Sequence, residues 1–408
     1  MSERPKTIRS AIRKSKSWRE AEFEYESMCA ISLFPMMGER LTAEDKIDQL
    51  KALARLCPRF YPAVLELGLH RLARGEGRSA ERQVRKGIDL MMELAEPKHL
   101  AEEISATIDN LEKLWRYDLC RQVLEPMVKR GPNDAELRDS LACALAQLGE
   151  HEAAVAQIGK ALEISPENPF LLSNRGWILL MAGRLEEAGK SLRGALRVSP
   201  DHAAARGNLN CYRYLLKHGC TYLDFLLRPA NRKRIDQLSS EERWDKSDEL
   251  SHDINSTRME AFALSLLRRG GRSRANIHDR LSTLTNFFSF VRKLALGLFP
   301  LDEDVRYVED HLEPILHKFI LEFGDADSEI LESITDATCA YYEFLESRGL
   351  VSASDLISFR TRIRETIPGI IEKSERYKAV RSDPALDENA KEDVRAQLFE
   401  ADHLWPCL

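Results

Sequence analysis

Cys211, His218 and Cys220 lie close together in the chain, and all three are residue types that bind zinc. A structural zinc site needs four well-placed ligands, so the plainer reading of the trio is the surface of a capping helix. Arg268-Arg269-Gly270-Gly271-Arg272 combines glycines with cations, but no strand precedes it to present a phosphate cradle. The sequence has no glycine-rich phosphate loop, no Gly-x-Ser-x-Gly elbow and no His-Glu-x-x-His helix. Its many carboxylates fall on solvated helix faces, where they aid solubility and pair with Lys or Arg. The residues therefore point away from an enzyme, and neither a metal nor a cofactor is expected.

Cations are the remaining candidates. Arg9, Arg13, Lys14, Lys16 and Arg19 form the densest cluster; Arg228, Arg232, Lys233 and Arg234 form a second; Arg268, Arg269, Arg272 and Arg274 form a third. Each alone reads as a solvated linker or turn, whereas convergence of the three would make phosphate contact credible. A formal net charge of −6 gives no global case for nucleic acid. With 43% hydrophobic and 31% charged residues, the chain has the composition of a folded protein. Its length of 408 residues calls for two domains or an extended solenoid. No apolar run is long enough to cross a bilayer. The eight cysteines form no Cys-x-x-Cys pair and read as buried thiols in a reducing cytoplasm.

The elements that position these residues are helices in a repeat. ALEISPEN at 161–168 recurs as ALRVSPDH at 195–202, an offset of 34 residues that also carries Gly149 onto Gly183 and Ala154 onto Ala188. Ala142 and Gly176 let a partner helix cross closely, as do Ala154, Ala161, Ala188 and Ala195. Gly149 and Gly183 suit a left-handed helix terminus, and Pro166 and Pro200 stop the second helix. A worn copy covers 101–134, with Trp115 at the turn-glycine position, and an earlier one begins at Tyr61. The pattern resembles the tetratricopeptide repeat family over about residues 61–228, most clearly at 135–202. The resemblance implies an all-α fold: a solenoid of helical hairpins, here followed by a second helical domain. It further implies a concave wall built from the first helix of each repeat. The wall residues so implied include Glu102, Asp109, Glu112, Glu136, Asp139, Cys143, Phe170, Trp177, Met181, Cys211 and Tyr214. Such a groove is acidic at its N-terminal half and apolar or aromatic at its C-terminal half. The expected role is a non-enzymatic adaptor that holds a polypeptide there, and an acidic tail is a poor ligand.

The 34-residue register ends near Asp236. The stretches 259–294 and 334–356 pair a helix, a glycine turn and an aromatic-rich helix, and they resemble the helical core-binding domains of tyrosine recombinases. The catalytic His-x-x-Arg of that family is absent, which argues against recombinase chemistry. A DNA-associated protein using Arg232, Lys233, Arg234, Arg268, Arg269, Arg272 and Arg274 is the alternative reading. The expected layout is a basic flexible tail (1–20), a helical lead-in (21–60), the array (61–228) and a linker (229–258). A C-terminal helical domain (259–380) and a terminal helix with an apolar tail (381–408) complete it. The tail, ending in His403-Leu404-Trp405-Pro406-Cys407-Leu408, is expected to pack on its own domain; the sharper hypothesis docks it intramolecularly near Trp177, Met181 and Tyr214.

Overall fold

The computed structural model describes residues 11–33, 42–96, 98–269, 276–295, 299–323 and 328–399, and among these no residue lies in a strand. The protein is all-α. It divides into two compact units, one from Met1–Leu216 with Leu266–Asp279, the other from Lys217–Ser265 with Arg280–Leu408.

In the first unit, α1 (Lys16–Leu33) and α2 (Ala43–Leu56) precede a series of antiparallel pairs. These are α3 (Tyr61–Ala73) with α4 (Gly77–Leu94), α5 (Leu100–Lys113) with α6 (Tyr117–Arg130), α7 (Ala135–Gln147) with α8 (His151–Ile164), and α9 (Pro169–Met181) with α10 (Leu185–Val198). A last first-type helix, α11, spans Ala203–His218. The turn inside every pair has the same chemistry. Gly75, Trp115, Gly149 and Gly183 all have positive φ, between 57° and 83°. The residue after each donates its amide to a carbonyl five positions back, as Glu150 does to Leu145 at 2.9 Å and Arg116 to Leu111 at 2.8 Å. This closure satisfies carbonyls that the helix end would otherwise leave bare. Trp115 adopts it despite its side chain, at a cost of about 1–2 kcal/mol relative to glycine.

Small residues set the helix spacing. Ala154, Ala161, Ala188 and Ala195 are wholly buried, as is Ala142. A Cβ on Gly87 would come within 2.6 Å of the Leu65 Cα, so no larger residue fits where α4 crosses α3. One apolar core runs from Trp18 through the repeats to Ile178.

Two expected boundaries shift. The N-terminal segment is not simply a tail, since α1 begins at Lys16 and Trp18 is 1% exposed. Its ring packs edge-on against Phe60 at 5.1 Å. Trp18, Ala21 and Met28 form a buried face of α1 that the surrounding cations obscure in the sequence.

The segment 229–258 is helical where a linker was expected. It holds α13 (Arg232–Ser240) and the first half of α14 (Trp244–Arg269), preceded by α12 (Tyr222–Leu226). The expected end of the array, Tyr222–Arg228, falls within the second unit. There Leu226 and Arg228 give their carbonyls to Arg258, at 3.2 and 3.0 Å. The remaining helices are α15 (Ile277–Leu294), α16 (Val305–Asp310), α17 (Leu312–Phe323), α18 (Ser328–Glu346), α19 (Ala353–Ser382) and α20 (Glu388–Leu398). Phe262, Phe288, Tyr341, Tyr342, Phe344 and Phe359 interlock as an aromatic core. Beside it the Arg258 guanidinium, 0% exposed, also pairs with Glu303.

Candidate functional site

The positions that the family resemblance assigns to a concave wall fall on α5, α7, α9 and α11. Among the implied residues Glu102, Asp109, Glu136 and Phe170 are exposed, Asp139, Trp177, Met181 and Tyr214 half-buried, and Cys211 buried. Trp177 and Met181 lean on the core. Phe170, 65% exposed, packs edge-on against His202 at 4.7 Å.

The acids of α5 and α7 come together. Asp139 accepts two hydrogen bonds from the Asn174 amide, at 3.0 and 2.9 Å. Burial, opposed by these bonds and reinforced by Glu136, lifts its carboxyl to about 6. Burial and the charges of Asp109 and Asp139 likewise raise Glu112. Among the described residues no Lys or Arg makes an ion pair with Asp109, Glu112, Glu136 or Asp139. These acids repel one another, and Glu112 and Asp139, which burial raises, are more protonated than solvated carboxylates. The Cys143 thiol beside them is pushed well up by burial and by Asp139.

The basic candidates divide differently. Arg232 is held by the Phe299 carbonyl and Asp304 in the second unit. Arg234 donates to the Gln237 side chain at 3.0 Å, and Lys233 is exposed. Arg268 and Arg269 are exposed at the end of α14, where Arg268, after burial, helps hold His151 below the usual imidazole value. Arg272 and Arg274 lie outside the described residues, as do Arg9 and the whole of 400–408, with Trp405 and the docking proposed for it. Among the described residues no three His, Cys, Asp or Glu side chains converge as metal ligands.

A cavity of about 720 Å³ opens upstream of the acids. Pro62, Leu65, Leu69 and Ala73 of α3 face Glu103, Ala106 and Asn110 of α5 across it, with Tyr25, Lys46 and His278 at its margins. Tyr25 OH and Lys46 Nζ both reach Glu66 at 2.7 Å. Burial works to raise the Glu66 carboxyl, but hydrogen bonds from His70, Lys46 and Tyr25 outweigh it and hold the group at about 2. Tyr61 OH donates to Glu103 Oε1 at 2.7 Å, while Glu103 Oε2 is buried with no donor. The signal for this cavity lay in the repeat register. Extending it to the copy that begins at Tyr61 puts Pro62, Leu65, Leu69 and Ala73 at second, fifth, ninth and thirteenth positions, an apolar stripe on a wall otherwise open to water.

Residues 135–168 and 158–190 match family models described as tetratricopeptide repeats. The TPR repeat-containing thioredoxin TTL4 of Arabidopsis thaliana is 43% identical over 61 residues, which is 15% of this chain and 9% of that protein. The chain thus spans less than a tenth of that relative's length. Among solved structures, YrrB, described as a TPR protein with an unusual peptide-binding site, is 21% identical, with a TM-score of 0.32 over 44% of this chain and 88% of its own. The TPR domain of P58(IPK) is 15% identical, with a TM-score of 0.23 over 91% of this chain and all of its own. Tetratricopeptide repeats as a class mediate protein–protein contact, and no helix among the described residues is long and apolar enough to cross a membrane.

Proposed function

We propose that this chain is a non-enzymatic adaptor that binds a basic polypeptide segment along the concave wall of its repeats. The observation that carries the reading is the group Asp109, Glu112, Glu136 and Asp139, in which Asp109 and Asp139 act on Glu112 and Glu136 acts on Asp139, and none makes an ion pair with a Lys or Arg of the described residues. Carboxylates kept close together and partly desolvated cost stability in isolation, and that cost is recovered when a partner's cations arrive. Exposed Phe170 and half-buried Trp177 further along offer apolar contact to the same segment. We place the adaptor in the cytoplasm, a reading supported by the described cysteines, which are thiols and not disulfides.

The cation clusters carry no second reading. Arg232 is spent within the second unit, and Phe287, Phe288, Phe290, Tyr341, Tyr342 and Phe344 are core residues, not platforms for bases.

An array of synthetic peptides, probed with the full chain at low and high salt, tests the proposal. Basic amphipathic peptides should be retained, and their retention should fall as salt rises. Retention of no peptide, or of acidic and basic peptides alike, would contradict it.

A further inference from the structure

Resting on the reading of the wall as a polypeptide-binding face, we propose that Lys113 and the cavity between α3 and α5 fix the order of residues in the bound segment. An apolar side chain of the segment would fill the cavity, and a carboxylate beside it would pair with Lys113. The segment's cations would follow onto Asp109 and Glu112.

The case starts from the charges around the cavity. Lys46 and Lys113 both line it. Lys46 is neutralised by Glu66 at 2.7 Å. Lys113 is exposed, and its ammonium makes no ion pair among the described residues, not even with Asp109 one turn before it. The acids of the cavity make no demand of their own. Glu66 is held by Tyr25, Lys46 and His70. Glu103 takes Tyr61 OH on Oε1 at 2.7 Å, and its buried Oε2 is out of reach of anything that enters the cavity. The uncompensated charge that an occupant meets there is therefore that of Lys113.

The helix itself sets the order. At about 100° per residue, Asn110, Ala106, Lys113, Asp109 and Glu112 follow one another around α5. The first three line the cavity, and Glu112 is acted on by Asp139 of α7. Lys113 thus stands between the apolar lining and the acids. The cavity volume of about 720 Å³ lies within the range of ligand pockets, about 300–1,000 Å³. Leu65, Leu69, Met91 and Leu114 contribute to its walls, which suits an apolar side chain. A segment that covers the mouth takes water from the Lys113 ammonium, which then needs an anion. Past Lys113 an anion meets Asp109 and Glu112 and is repelled. The order apolar, acidic, basic satisfies all three places, whereas exchanging the charges sets like against like at two of them.

The test uses the full chain and labelled peptides on an Ala-Gln background that carry Phe, then Asp, then a run of lysines, made in both chain directions. One twin has Asn for Asp, one has Ala for Phe, and one moves Asp beyond the lysines. In its better direction the ordered peptide should bind about threefold to fivefold more tightly than its Asn twin. Net charge alone predicts the reverse, since the Asn twin is the more positive and the wall is acidic. The peptide with displaced Asp should bind more weakly than either, and the Ala twin about tenfold more weakly than the ordered peptide. Lys113→Gln should leave the Asn twin the tighter of the two. Ala106→Trp fills the cavity and should erase the advantage of Phe over Ala. Both positions are exposed, and thermal melts report that the fold is intact. An Asn twin as tight as the ordered peptide on the native chain, an Asp advantage that survives Lys113→Gln, or an undiminished Ala twin would overturn the proposal. Should basic peptides bind and lose affinity in Asp139→Lys whatever the place or presence of Asp, the proposal fails while the wall reading stands. Should no basic peptide bind at all, both fail.

Discussion

The repeats of the first unit and the helical core of the second solve the same packing problem with opposite chemistry. Between paired helices of the array, contacts are short in sequence, apolar and made by small residues; Gly87 under Leu65 and buried Ala188 are typical. In the second unit a buried cation organises the centre. Arg258 gathers Glu303 and the carbonyls of Leu226 and Arg228, residues some thirty to forty-five positions away in the chain. Asp302 sits beside this group, its backbone amide donating to Asn255 Oδ1 at 2.9 Å and its carboxylate accepting from Tyr341 OH at 3.3 Å. A periodic interface tolerates local wear, as Trp115 shows. A polar hub does not, because removing one partner strands the others.

The sharpest break of this contrast is Arg258→Ala. It leaves Glu303 and two carbonyls without their donor and should cost about 3–5 kcal/mol in chemical denaturation. A loss near that of an ordinary surface arginine would mean the hub is not structural.

A second, smaller effect belongs to Asp302. Burial, opposed by Arg292, Tyr341 and Arg258, lifts its carboxyl to about 7. The folded value lies above the unfolded one, so the folded state binds the proton more tightly. Stability should therefore decline as pH rises from about 4 to about 7, by about 3 kcal/mol from this group. Asp302→Asn should remove that decline, which pH-dependent denaturation would reveal.

The array should respond to volume instead. Ala188→Leu forces extra atoms into a filled helix crossing and should cost about 2 kcal/mol by overpacking, with no pH dependence. An unchanged melting temperature would count against the 34-residue register.

The smallest effect is on binding. A cation seated beside Asp139 favours its ionised form, so affinity for a basic peptide should weaken as pH falls through about 6. A loss of about 1 kcal/mol, roughly fivefold, is expected, and Asp139→Asn should flatten the profile in a fluorescence titration.

The contrast also explains what could be seen in the sequence. The hairpins were legible because each repeat places the same residue class at the same offset, down to the φ of Gly149 and Gly183. The acids of the wall were legible through the same register, although their mutual desolvation was not. Extending that register to α3 would have exposed the apolar stripe of Pro62, Leu65, Leu69 and Ala73. Lys113 could not have been singled out, since Asp109 is its ordinary partner one turn away and the two do not pair in the fold. The second unit hid more. Arg228 and Arg232 looked like a solvated basic cluster because their partners, Asp253 and Asp304, arrive only through folding. Trp18 was masked by the cations around it.

The central claim is that the charge of the wall selects the partner. Isothermal titration of the native chain and of a Glu112→Lys, Asp139→Lys double variant, each against one basic amphipathic peptide and its acidic twin, tests it most directly. The native chain should bind the basic peptide and not the acidic one, and the variant should reverse that preference. A variant that keeps the native preference, or a native chain that binds both twins equally, would contradict it.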